Sequence, residues 1–176
     1  MSNSFFKIML FFLITAQYCF SQENDNRKFQ IGISGEYLLT GELNSIYDTS
    51  IGFKGQYFFM HKPNFHHFLN GSFTTDIGTT GANLYAFDLG IGTQYDIIKL
   101  WKKPLYLQLS AGGLYWQEKF STQLIGRTIN SSTSKFGFKA NLGIGYRLSK
   151  KLSLQLNATQ FSIKGTSIGL EIQYSF

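Results

Sequence analysis

Three histidines, His61, His66 and His67, crowd into one short stretch, and imidazoles that close together are candidates for a metal site or a general base. The residues around them alternate apolar and polar. Neighbouring side chains on a strand leave by opposite faces, so His66 and His67 diverge, and the group reads as histidines at an interface. A second set mixes carboxylates with cations: Glu36, Lys54, Asp88, Lys139, Arg147 and Glu171. Asp88 with Lys139, or Glu36 with Lys54, has the chemistry of an acid/base pair. Inside a closed sheet the same six residues form a charge network that locks the interior. Serines and threonines abound, but no Ser/His/Asp set can be gathered on one side. The sequence therefore assigns no catalytic residue, no metal ligand and no cofactor motif. Cys19 is the single cysteine, which removes disulfide frameworks and thiolate metal sites.

The elements that carry these residues are strands. Beyond a short polar entry, residues 22–28, the chain divides into eight alternating runs: 29–39, 50–60, 65–76, 83–96, 105–116, 135–148, 152–159 and 167–176. In the fourth, Tyr85, Phe87, Leu89, Ile91 and Tyr95 oppose Ala86, Asp88, Gly90, Gly92, Gln94 and Asp96. In the eighth, Ile168, Leu170, Ile172, Tyr174 and Phe176 oppose Gly169, Glu171, Gln173 and Ser175. The fifth run contains Gly112-Gly113, where a bulge would swap the faces beyond it, so the facing of Tyr115 and Trp116 stays open.

The connections alternate in character. His61–Asn64, Ile97–Pro104 and Ser149–Lys151 are tight or basic, whereas 40–49, 77–82, 117–134 and 161–166 are longer on the whole and rich in Ser, Thr, Asn and Gly. Residues 117–134 form the longest of these and the best place for recognition of an outside partner. Leu124, Ile125 and Ile129 within it also suit a hairpin that continues strands five and six. The chain opens with Lys7, an apolar run from Ile8 to Ile14 and small or uncharged residues near Ser21, the layout of a secretory leader over residues 1–21. Lys and Arg number 16 against 10 Asp and Glu, for a net charge of +6. That balance is modestly basic, and an exported chain without dense Arg/Lys patches is a poor partner for nucleic acid.

The apolar face is crowded with Phe, Tyr, Leu and Ile, too bulky to fill a narrow barrel, while the polar face is heavy in glycine and paired charge. The expected fold is therefore all-β, an eight-stranded antiparallel up-and-down transmembrane barrel over residues 29–176. Aromatics near strand ends supply interfacial girdles, Phe29, Phe59, Tyr95, Tyr146, Tyr174 and Phe176 on one side and Tyr37, Phe53, Phe73, Tyr85 and Phe136 on the other. The soluble rival is a lipocalin-like binding barrel, whose apolar face would line a pocket.

The leader, the eight runs, the short inner turns and the terminal strand ending at Tyr174 and Phe176 resemble the small OmpA/OmpX-like outer-membrane barrel superfamily of Gram-negative bacteria. The resemblance implies a cell outer-membrane location, contact with outer-membrane lipids, and a C-terminal signal at Tyr174 and Phe176 read by the barrel-assembly machinery. It brings no catalytic residue. A PagL-like deacylase carries a His-x-Ser element near the outer leaflet, and no histidine here has Ser two positions on. A PagP-like palmitoyltransferase needs a helix before its barrel, which residues 22–28 are too short to supply. The expected function is a non-enzymatic barrel with a plugged polar lumen, serving envelope integrity or surface interaction. A small OmpW-like channel for apolar solutes and a lipid A-modifying enzyme are the alternatives.

Overall fold

The computed structural model describes residues 28–41, 47–62, 64–77, 82–97, 105–124, 127–162 and 165–176. The leader expected over 1–21 lies outside them, as does the entry segment apart from Lys28. Eight strands follow one another: β1 (Phe29–Gly41), β2 (Thr49–Lys62), β3 (Phe65–Asp76), β4 (Ala82–Asp96), β5 (Leu105–Leu124), β6 (Arg127–Arg147), β7 (Leu152–Phe161) and β8 (Gly165–Ser175). Each pairs antiparallel with its neighbour in sequence, and β8 pairs back onto β1, so the sheet is a closed barrel. Closure removes the two edges that an open sheet would leave. At the seam Ile33 stands opposite Ile172, and the Phe176 N–H donates to the Phe29 carbonyl at 2.9 Å.

Alternation sorts the side chains as the runs require. Ile31, Ile33, Phe53, Leu89, Ile91, Leu142 and Leu170 are exposed on the outside, whereas Gln30, Gln56, Asn70, Asp88, Gln155 and Glu171 are buried within. A water-soluble barrel would reverse this arrangement, since apolar groups left in water are costly. In hydrocarbon the outward Phe, Ile and Leu are matched to their surroundings, and the closed ladder pairs the backbone around the barrel.

Two ends are distinguishable. One carries the tight turns: Lys62 pairs with Phe65, and between them Asn64 has φ 71°, a left-handed conformation that Asn tolerates. This is called the turn end. At the opposite, ribbon end, β5 and β6 stay paired as far as Leu124↔Arg127. Their neighbours stop sooner, β4 at Ala82↔Phe120 and β7 at Lys139↔Phe161. At 20 and 21 residues these strands far exceed the ~9–11 that a tilted strand needs to cross a bilayer. Residues 117–124 and 127–134 therefore form a projecting two-stranded ribbon.

Gly112-Gly113 makes no bulge. The register of β5 runs unbroken on both sides through Gly112 and Gly113, which leaves Trp116 buried inside and turns Tyr115 outward, its ring 4.9 Å from that of Phe136. The register shifts fall elsewhere, between Leu38 and Thr40 and between Phe58 and Met60. Neither position carries a glycine or proline, so nothing in the local sequence announces them.

Candidate functional site: the lumen and its mouths

The interior is layered. Nearest the turn end, Asp96 accepts from Arg147 Nη2 at 2.6 Å, lies 3.2 Å from His66 Nε2, and accepts from Gln94 Nε2 at 2.9 Å. His66 Nδ1 in turn meets His61 Nδ1 at 3.0 Å. His66 is thus a buried lumenal residue, a correction to its expected interfacial place. His67 faces outward and stacks on Phe59 at 6.4 Å, as the divergence of neighbouring side chains requires. Among the described residues no group of His, Cys, Asp and Glu is arranged to hold a metal.

Above this layer lies an amide web. Gln173 Nε2 donates to Gln155 Oε1 at 3.1 Å and to Glu171 Oε1 at 2.8 Å, and the Tyr106 hydroxyl stands 2.9 Å from Gln173 Oε1. The Arg147 guanidinium lies over the Tyr106 ring, 5.5 Å from its centroid. The central layer holds two ion pairs. Lys139 Nζ donates to Asp88 Oδ2 at 2.8 Å, and Asp88 also accepts from Asn70 at 3.3 Å and from the Ser72 hydroxyl. Lys54 Nζ donates to Glu171 Oε2 at 3.1 Å, with Asn157 adding a bond at 2.9 Å.

All six charged residues singled out in the sequence face the lumen, and one of the two pairs read there forms. Asp88 and Lys139 meet. Lys54 chooses Glu171 rather than Glu36, because β8 closes against β1 and carries Glu171 within reach. Glu36 instead accepts from Ser167 Oγ at 2.9 Å, and Arg147 is paired with Asp96. Asp96 keeps the inward place that alternation gave it on β4, and His66 was singled out from the start, but no role was read for Asp96, Tyr106 or the glutamine web. Their partners lie on distant strands, which spacing along one strand does not report.

The ribbon end departs from the polar lumen that was expected. Leu38, Leu84, Leu114 and Trp116 point inward and form an apolar plug with Ala82 and Tyr47. Tyr47, outside the strands, is fully buried over this cluster. That burial, with Glu118 and Asp76 adding negative charge, pushes its phenol up to about 12. Between plug and ion pairs two voids remain. One of ≈ 20 Å³ lies among Glu36, Lys54, Asn70, Lys139 and Glu171; one of ≈ 30 Å³ is bounded by Leu38, Trp116, Asp88 and Lys139. Each has room for about one water molecule.

An apolar exterior, a hydrogen-bonded polar interior and full strand closure define a transmembrane-type barrel with a packed lumen, the fold of the small OmpA/OmpX-like outer-membrane barrels. Solved structures share it. The attachment invasion locus protein Ail of Yersinia pestis is similar with a TM-score of 0.57 at 14% identity, over 85% of this chain and 97% of Ail. The N-terminal β-barrel domain of Pseudomonas aeruginosa OprF gives 0.55 at 13%, over 85% and 98%, and Neisserial surface protein A gives 0.56 at 12%, over 84% and 97%. Ail has also been solved in complex with the heparin analogue sucrose octasulfate. No protein-family model matches this chain, and no curated protein does. At such identities the likeness is one of fold, and function has to be argued from the site.

Proposed function

We propose that this protein is a non-enzymatic, non-conducting barrel of the outer membrane that holds its long β5–β6 ribbon outside the cell for envelope integrity or surface interaction. The observation that carries the reading is the packed lumen among the described residues: ion pairs and the amide web fill its middle and Leu38, Leu84, Leu114 and Trp116 lie across its ribbon end, with voids of ≈ 20 and ≈ 30 Å³ between them. The six lumenal charges then act as internal struts and have no substrate. In this orientation the turn end lies in the periplasm and the ribbon end outside. The expected result in planar bilayers is silence, and steady channel openings would overturn the sealed lumen. Before boiling, the folded barrel should run at a different position on a gel than after it; membrane-fractionated protein without that shift would overturn the membrane reading.

The ribbon supports the surface role through an exposed strand edge. Along β6, residues 127–137 have β5 on one side and no strand on the other among the described residues. An edge of this kind adds an extended segment of a partner by backbone hydrogen bonds. The C-terminal strand supports delivery by the barrel-assembly machinery, since Tyr174 and Phe176 face outward with rings 5.0 Å apart at the end that closes the seam. Deleting Phe176 removes one seam hydrogen bond and one ring of this pair. The expected outcome is a sharp fall in outer-membrane insertion in cells, with spontaneous refolding into vesicles much less affected. Equal loss in both settings would show that the residue serves stability and not recognition.

A further inference from the structure

The outer wall of the barrel carries a groove of ≈ 1190 Å³ running across β8, β1, β2, β3 and β4. Its floor is low because three outward positions are glycines, Gly35, Gly55 and Gly71. Gly55 and Gly71 stand directly opposite each other across the β2–β3 pair. A Cβ added at Gly35 or Gly55 would meet nothing within 4 Å. Phe53, Phe73 and Phe87 line the groove beside these glycines, Ile51 and Ile77 line it toward the ribbon end, and Ile31, Ile172 and Tyr174 toward the turn end. A second copy of the chain fits poorly there, because a two-fold interface sets a patch against itself and two hollows would enclose a doubled void.

The turn-end mouth of the groove is basic. Lys151 is exposed, and its Nζ lies 5.8 Å from the centroid of the Tyr174 ring. The Ser149 hydroxyl accepts from the N–H groups of Lys151 and Leu152 at 3.2 and 3.0 Å, which fixes the turn that presents this lysine. Lys28 is exposed as well, just before β1. The Ser175 N–H donates to the Lys151 carbonyl at 2.7 Å, and the Phe58 N–H donates to the Lys28 carbonyl at 2.9 Å. The backbones of Lys28 and Lys151 therefore flank the end of β8, with the Lys151 ammonium set against the outward ring of Tyr174.

We propose that this is a site for one anionic glycerophospholipid of the periplasmic leaflet, its phosphate between Lys28 and Lys151 and an acyl chain lying in the Gly55–Gly71 groove. The proposal rests on the outer-membrane reading above. Hydrocarbon chains gain no hydrophobic energy by leaving one apolar surface for another, so the groove contributes through close packing. The lysines contribute selectivity, since a cation near a membrane surface attracts anionic headgroups.

The experiment uses the full folded chain in vesicles of equal phosphatidylcholine and phosphatidylglycerol, released for native mass spectrometry that counts retained lipids. The expected result is one retained phosphatidylglycerol per barrel. Its preference over phosphatidylcholine should fall about fivefold for each of Lys28→Gln and Lys151→Gln. Gly55→Leu, whose side chain has open space to enter, should abolish retention of both lipids while leaving the gel-mobility shift intact. Undiminished retention in Gly55→Leu, or unchanged selectivity in the lysine variants, would overturn the site. Failure of the wild-type chain to insert into these vesicles would instead overturn the membrane reading on which the site rests.

Discussion

Replacing Lys139 with alanine is expected to lower the folding free energy by about 3–5 kcal/mol, the usual cost of leaving one member of a buried ion pair alone. Asp88 would keep Asn70 and Ser72 as hydrogen-bond donors but lose its cation at 2.8 Å. The plug of Leu38, Leu84, Leu114 and Trp116 shields it from the ribbon end and the amide web from the turn end. Neutralising both members should undo most of the loss: Asp88→Asn with Lys139→Met leaves the polar contacts to the β3 side chains and removes both charges. Urea unfolding from lipid vesicles measures the three stabilities. A single substitution costing less than about 1 kcal/mol, the range of a solvent-exposed pair, would mean that water reaches Asp88 and that the lumen is open. The same variants therefore test the sealed interior independently of conductance.

Gly112→Val is expected to abolish folding, while Gly113→Val, one residue further on, should be tolerated. The two glycines lie on opposite faces of β5. A Cβ at Gly112 would sit 2.1 Å from the Leu89 carbonyl oxygen and 2.6 Å from the Gly90 Cα, both backbone atoms of the paired strand β4. Backbone in a closed ladder has no room to withdraw without breaking the register, so β4 and β5 would have to separate. A Cβ at Gly113 meets nothing within 4 Å and would project outward. There the β-branched side chain suits a strand. Gel mobility of the refolded variants, before and after boiling, reads the outcome directly. Equal behaviour of the two would contradict the unbroken register through Gly112-Gly113.

The strand alternation was legible because its period of two is a local property, and closure of the barrel preserves the face on which each residue starts. Eight runs, the turns between them and the inward placement of Glu36, Lys54, Asp88, Lys139, Arg147 and Glu171 follow from spacing alone. Strands β1 to β4 began and ended within two residues of the runs read from the sequence. The ribbon was less plain, since Ser, Thr and Asn in 117–134 signal loop as readily as exposed strand, and only pairing with a partner strand decides between them. The two register shifts near Leu39 and Phe59 left no trace in the local residue types.

Partner choice within the lumen was legible for Asp88 with Lys139 and for no other pair. Lys54 meets Glu171 across 117 positions of sequence because the last strand closes on the first, and the Arg147–Asp96 pair depends on which side chains share a height inside the barrel. The apolar plug was hidden for a related reason. Leu38 follows inward Glu36, Leu84 lies between the small Ala82 and Ala86, and Leu114 and Trp116 come after the Gly112-Gly113 pair that left the facing open, so only assembly stacks them at one end. By itself the sequence determined a closed sheet with one greasy and one polar face, because side-chain direction on a strand is local. The tertiary structure alone decided how the other charges pair, where the lumen is stopped, and that Gly35, Gly55 and Gly71 open a groove toward lipid, because each of these depends on the relative height of distant strands.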